Sequence, residues 1–106
     1  MRSPEEVRDY LRTIAGNYAA AEITRGQYGA MVGHLTEACN GDGVLRRKLI
    51  GWIFGIGDEM STKYLKPGEI MALITWIDAY EEDGHWHPSV NFLTEVRNIL
   101  LKIKRL

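Results

Sequence analysis

The side chains best equipped for chemistry lie close together late in the chain, in Glu81-Glu82-Asp83-Gly84-His85-Trp86-His87. Imidazoles and carboxylates are the ligands of divalent metals. The spacing argues against a metal centre here. Zinc sites draw their ligands from two separated segments, and the chain has no second Cys or His group, since His34 stands alone. The run reads as a solvated turn between helices with Trp86 packing back on the core, and no metal is expected. Asp78 with Glu81, Glu82 and Asp83 likewise reads as a solvated charge run rather than a carboxylate pair for hydrolysis. There is no Gly-x-Ser-x-Gly nucleophile turn and no cysteine in a catalytic setting. Gly55-Ile56-Gly57 lacks the Lys-Ser or Lys-Thr of a phosphate-binding loop. No catalytic residue or cofactor is expected, and an enzyme is not the reading these residues support.

Two basic clusters remain. Arg46, Arg47 and Lys48 open a helix, and Lys63 and Lys66 follow in the next loop with Tyr64 between them. The second cluster is Arg97, Lys102, Lys104 and Arg105. Lysines and arginines meet backbone phosphates, with an affinity that falls as salt rises. An exposed aromatic among them stacks a base. Arg46, Arg47, Lys48, Lys63, Tyr64 and Lys66 are therefore the candidate contacts to DNA or RNA; ordinary surface charge is the alternative. Trp76 and Trp86, both off the main apolar stripes, are the candidate anchors for a protein partner.

The totals bound these readings. A chain of 106 residues with 45% hydrophobic and 25% charged residues is expected to form one globular domain, residues 1–106, with one modest core. The net charge is −1, so nucleic-acid contact must rest on local patches rather than on a global basic excess. The N-terminus, Met-Arg-Ser-Pro-Glu-Glu, has no apolar signal segment, and residues 49–57 are too short an apolar stretch to span a bilayer. With a single cysteine, Cys39, read as a small buried apolar residue, a reducing, cytoplasmic setting without membrane contact is expected.

The elements that position these residues are helices. Ser3 with Glu6 forms a capping box ahead of Pro4, and Val7, Tyr10, Leu11, Ile14, Ala15 and Tyr18 recur at helical spacing, predicting a helix over 4–20. Thr24 with Gln27 opens a second helix bearing Tyr28, Met31, Val32, Leu35 and Cys39. Gly26, Gly29 and Gly33 lie on one side of it. They predict close packing of another helix there, or a backbone face left bare for a partner. After the break at Asn40-Gly41-Asp42-Gly43, Asp42 caps a third helix with Leu45, Leu49, Trp52 and Ile53 inward, ended by Gly55-Ile56-Gly57. A loop over 58–66 carries a short turn at Ser61. Pro67 opens a fourth helix with Glu69 early and Ile70, Leu73, Ile74 and Ile77 inward, running to Tyr80. Pro88 opens a fifth, with Phe92, Leu93, Val96, Ile99, Leu100 and Ile103. No segment alternates as a half-buried strand does. The expected fold is all-α, a compact bundle of about five helices.

One stretch is more specific. Ile23-Thr24-Arg25-Gly26-Gln27-Tyr28-Gly29-Ala30-Met31 is followed by Arg47-Lys48-Leu49-Ile50-Gly51-Trp52. Next come Ser61-Thr62-Lys63-Tyr64-Leu65 and Glu69-Ile70-Met71-Ala72-Leu73-Ile74-Thr75-Trp76-Ile77. This order resembles a small helical module of the Mu-like phage regulatory protein family, and the tail module joined to some phage single-strand-annealing recombinases. It covers residues 23–77. Pro67 and Lys66 depart from the pattern, which has a polar residue and Thr there. The resemblance implies a mobile-element context and proximity to nucleic acid, with Ser61 capping a turn and Leu65 stapling the loop to the core. The reading reached is a non-enzymatic accessory module of a phage or mobile-element system that associates with nucleic acid or a nucleoprotein complex. The alternative is a protein-interaction subunit or inhibitor docking on a larger effector complex without touching nucleic acid.

Overall fold

A computed structural model describes residues 2–55, 60–78 and 90–104. In chain order, α1 is Pro4–Asn17, α2 Arg25–Ala38, α3 Gly43–Phe54, α4 Pro67–Asp78 and α5 Val90–Lys104, with a 3-10 turn over Thr62–Tyr64 before α4. No strand is present among the described residues, and the fold is an all-α bundle. None of its helices is long and apolar enough to cross a membrane.

The expected starts are present in atomic detail. Ser3 Oγ accepts from Glu6 N while Glu6 Oε1 accepts from Ser3 N. Thr24 and Gln27 make the same reciprocal pair. Asp42 accepts from Val44 N and Leu45 N. Each box satisfies amides that the first helical turn leaves without partners. Glu69 does more than suit the dipole of α4: its Oε1 accepts from Lys66 N at 2.7 Å, while Lys66 O accepts from Ile70 N. Lys66 is thus the residue from which α4 is launched. At the other end of α3, Gly55 takes a left-handed φ of 70° that closes the helix. Arg12 Nε donates to the carbonyl of Ile53 at 2.7 Å, supplying a cation to that C-terminus.

α1 stops at Asn17 rather than at residue 20. Its last core contacts are Ile14 and Ala15, Gly16 and Asn17 favour helix weakly, and Tyr18 is mostly exposed, so nothing apolar holds a further turn. What lies beyond is occupied by α4. Among the described glycines the tightest surroundings are at Gly68, where a Cβ would stand 2.1 Å from Ala15 O and 3.2 Å from Ala19 Cα. Only a residue without a side chain lets the first turn of α4 lie on the end of α1.

The glycines of α2 do the opposite. A Cβ on Gly29 or Gly33 meets nothing within 4 Å, and one on Gly26 meets only its own cap residue. The expectation of a helix packed against them is corrected: α2 turns Met31, Leu35 and Cys39 to the core, and the glycines lie on its solvent side.

α4 is the central element. Gly68, Glu69, Ile70, Ala72, Leu73, Trp76 and Ile77 are all buried along its 12 residues. It packs on α1 and α2, and Trp76 meets Phe92 of α5 edge-on with ring centroids 4.8 Å apart. Met71, Ile74, Thr75 and Asp78 share the one side of α4 that reaches solvent, and Trp76 falls on the part its neighbours cover. Trp76, read as an exposed anchor because it lies off a single stripe, is therefore a core residue with 0% exposure. Conversely, Leu93 of the α5 stripe points outward.

Candidate functional site

Arg46, Arg47 and Lys48 are consecutive on α3, and successive helical residues point about 100° apart. Their Cα–Cβ bonds therefore leave the helix in different directions. Arg46 reaches across to α2, where its Nη1 donates to Thr36 Oγ1 at 2.8 Å. The guanidinium groups of Arg46 and Arg47 both come within 4 Å of the position a Cβ would take on Gly43, so both fold back over the start of α3. All three basic residues are half-buried. Arg46 serves the α2–α3 corner at least as much as it serves any ligand.

The turn over Thr62–Tyr64 is different. Thr62 is buried and its hydroxyl accepts from Tyr28 Oη at 2.9 Å, tying the turn to α2. Met60, also buried, donates its N–H to Arg47 O at 3.1 Å, tying the approach to α3. Leu65 is buried on the far side, the staple expected of it. Ser61 corrects its assignment: it stands at the cap position, but its carbonyl accepts from Tyr64 N while its side chain makes no capping bond. From this fixed base Lys63, Tyr64 and Lys66 project into solvent. Tyr64 is 67% exposed, the most exposed large apolar side chain among the described residues, and Lys63 Nζ sits 5.0 Å from its ring centroid. Lys66 adds a cation at the N-terminal end of α4, whose dipole is positive there. The arrangement offers an aromatic face and two ammonium groups on a backbone that does not have to be ordered to use them.

The second basic cluster is divided as well. Lys102 pairs with Glu5 of α1, whereas Arg97 and Lys104 lie exposed on the outer side of α5. Trp86, the Glu81 to His87 run with both histidines, Arg105, and the Pro88 start lie outside the described residues. Among the described residues no three His, Cys, Asp or Glu side chains come together as metal ligands. Cys39 is buried, and that burial pushes its thiol up to about 11, which suits a packing residue rather than a nucleophile.

Sequence reasoning passed over Glu95. It is 1% exposed, and its carboxylate accepts from Trp76 Nε1 at 3.0 Å and from the backbone and guanidinium of Arg2 at 3.3 Å. Arg2 also lies 4.2 Å from the ring centroid of Tyr10. The signal was present: Glu95 falls three residues after Phe92 and four before Ile99, on the face that α5 turns inward. Compared with protein-family models, curated proteins and solved structures, the chain matches none of them.

Proposed function

We propose that this chain is a non-enzymatic accessory module of a phage or mobile-element system that touches single-stranded nucleic acid through the Lys63–Tyr64–Lys66 turn. The observation that carries the reading is the exposure of Tyr64 beside Lys63 on a turn anchored by Tyr28 and Thr62. An aromatic face accepts a base of any sequence, and flanking ammonium groups meet its phosphates. The resemblance of residues 23–77 to phage modules supports the same context. The near-neutral total charge suits local contact within a larger complex better than coating of a bare strand. The test is fluorescence anisotropy of a labelled oligonucleotide with the full chain at low salt. Binding that weakens steeply with salt and is lost in Tyr64→Ala supports the proposal; no change in anisotropy for single strand or duplex overturns it.

A protein-docking reading has its own observation. Leu93 and Leu101 are exposed two turns apart on α5, with Arg97 between them. The bare glycine side of α2 belongs with this reading, while Trp76 no longer does. Capture of one defined partner that survives nuclease treatment and is lost in Leu101→Asp would favour it over nucleic-acid contact.

A further inference from the structure

A cleft of about 200 Å³ opens between α2 and α4, away from the turn at Tyr64. Its floor is apolar, made by the buried Met31 and Ile77, and Ile74 continues it as a half-buried wall. Ala30 stands exposed at the edge, and its small side chain leaves the entrance open. Three polar groups converge on this surface. Gln27 gives its carbonyl oxygen to the Thr24 amide, which leaves its amide N–H groups for other partners. His34 lines the cleft half-buried, with Nδ1 sealed from solvent and without a hydrogen-bond partner in the protein. Asp78 is exposed at the rim and is the one carboxylate among the described lining residues.

An apolar floor open to water carries a free-energy cost that a ligand covering it would relieve. The charge decides which ligand. A carboxylate, the one ionic group among the described lining residues, repels anions and attracts a cation, and the floor demands an apolar body behind that cation. We infer that the α2–α4 cleft is a binding site for a small amphipathic amine. Its ammonium group pairs with Asp78 at the rim, and its hydrocarbon lies on Met31, Ile74 and Ile77. The inference is independent of nucleic-acid contact, because none of these residues belongs to the Lys63–Tyr64–Lys66 turn. The volume suits one ring or a short branched chain, smaller than the pockets that enclose drug-sized molecules.

The experiment is an NMR titration of the isotope-labelled full chain with three probes of one shape: phenethylamine, 2-phenylethanol and 3-phenylpropionate. The amine is expected to produce saturable shifts confined to the amides and methyls around Ala30, His34, Ile74 and Ile77. The alcohol should bind several-fold more weakly and the carboxylate most weakly. Asp78→Asn should weaken the amine about fivefold, as loss of one partly solvated ion pair does, and leave the alcohol unchanged. Ala30→Leu, which narrows the entrance, should abolish all three; the spectrum of each free variant confirms its fold. Amine shifts that stay linear to about 10 mM, beyond the affinity range such a fragment should reach, overturn the site. Equal binding of amine and carboxylate, or amine binding unaffected by Asp78→Asn, overturns the cation assignment.

Discussion

The indole N–H of Trp76 donates to the carboxylate of Glu95 at 3.0 Å in the interior of the bundle, and the same carboxylate holds Arg2. One buried group thereby joins α4, α5 and the segment ahead of α1. A buried charge of this kind is tolerated only because its lone pairs are met by donors. Glu95→Ala leaves the indole and the Arg2 guanidinium without their acceptor and should cost about 3–5 kcal/mol. Glu95→Gln keeps one acceptor oxygen and should cost about 1–3 kcal/mol. Urea unfolding of the two variants checks the order; equal losses would show that the acceptor oxygen kept by Gln contributes nothing, and no loss in Glu95→Gln that the charge contributes nothing.

Two kinds of glycine should respond in opposite directions. Gly68→Ala places a methyl group 2.1 Å from the Ala15 carbonyl, against backbone that cannot rotate away. It should destabilise the protein by about 3 kcal/mol, the upper range of overpacking. Gly29→Ala and Gly33→Ala add a methyl in open space on an exposed helical side. Each should stabilise by about 1 kcal/mol and raise Tm by roughly 4 °C or more. Thermal melts followed by circular dichroism give both signs.

Nucleic-acid contact at the turn makes a graded forecast. Lys63→Ala and Lys66→Ala should each weaken oligonucleotide binding across sequences and lower the slope of log affinity against log salt by about 1. Tyr64→Ala should remove about 1–3 kcal/mol of stacking from a single strand and little from a duplex. Arg46→Ala should act mainly on stability, through loss of the bond to Thr36. Anisotropy at several salt concentrations, set beside urea midpoints, separates the two effects.

Cys39 ties stability to alkaline pH. Burial pushes its thiol from 9.0 to about 11, so the folded state favours the neutral form. Its contribution is fully present below pH 9, where the thiol is protonated folded or unfolded. As pH rises from 9 to 11 the unfolded chain ionises first, and that stability is lost. The urea midpoint should fall across this window by more in the native sequence than in Cys39→Ala. A disulfide-exchange reagent at pH 8 should react only as fast as the protein opens.

What the sequence determined by itself is local. Ser3 with Glu6, Thr24 with Gln27, and Asp42 mark helix starts because each cap bonds an amide two or three residues away. The period of the apolar residues made the chain all-helical for the same short-range reason. Tertiary structure decided which sides of those helices meet water. A stripe presumes one buried face; α4 is enclosed on several, so Trp76 went inside and Glu95 was brought to it by a helix beginning 12 residues beyond α4. Glycines legible as a close-packing stripe on α2 met no other helix, while the close approach to backbone fell at Gly68, whose partner Ala15 lies far back in the chain. Arg46 and Arg47 leave the helix in different directions, yet both fold back over Gly43, half-buried. Lys63, Tyr64 and Lys66 remain together because a turn, tied down by Tyr28 and the Arg47 carbonyl, presents them to solvent. The α2–α4 cleft exists only where Gln27, His34 and Asp78 converge, and helix packing alone sets that convergence.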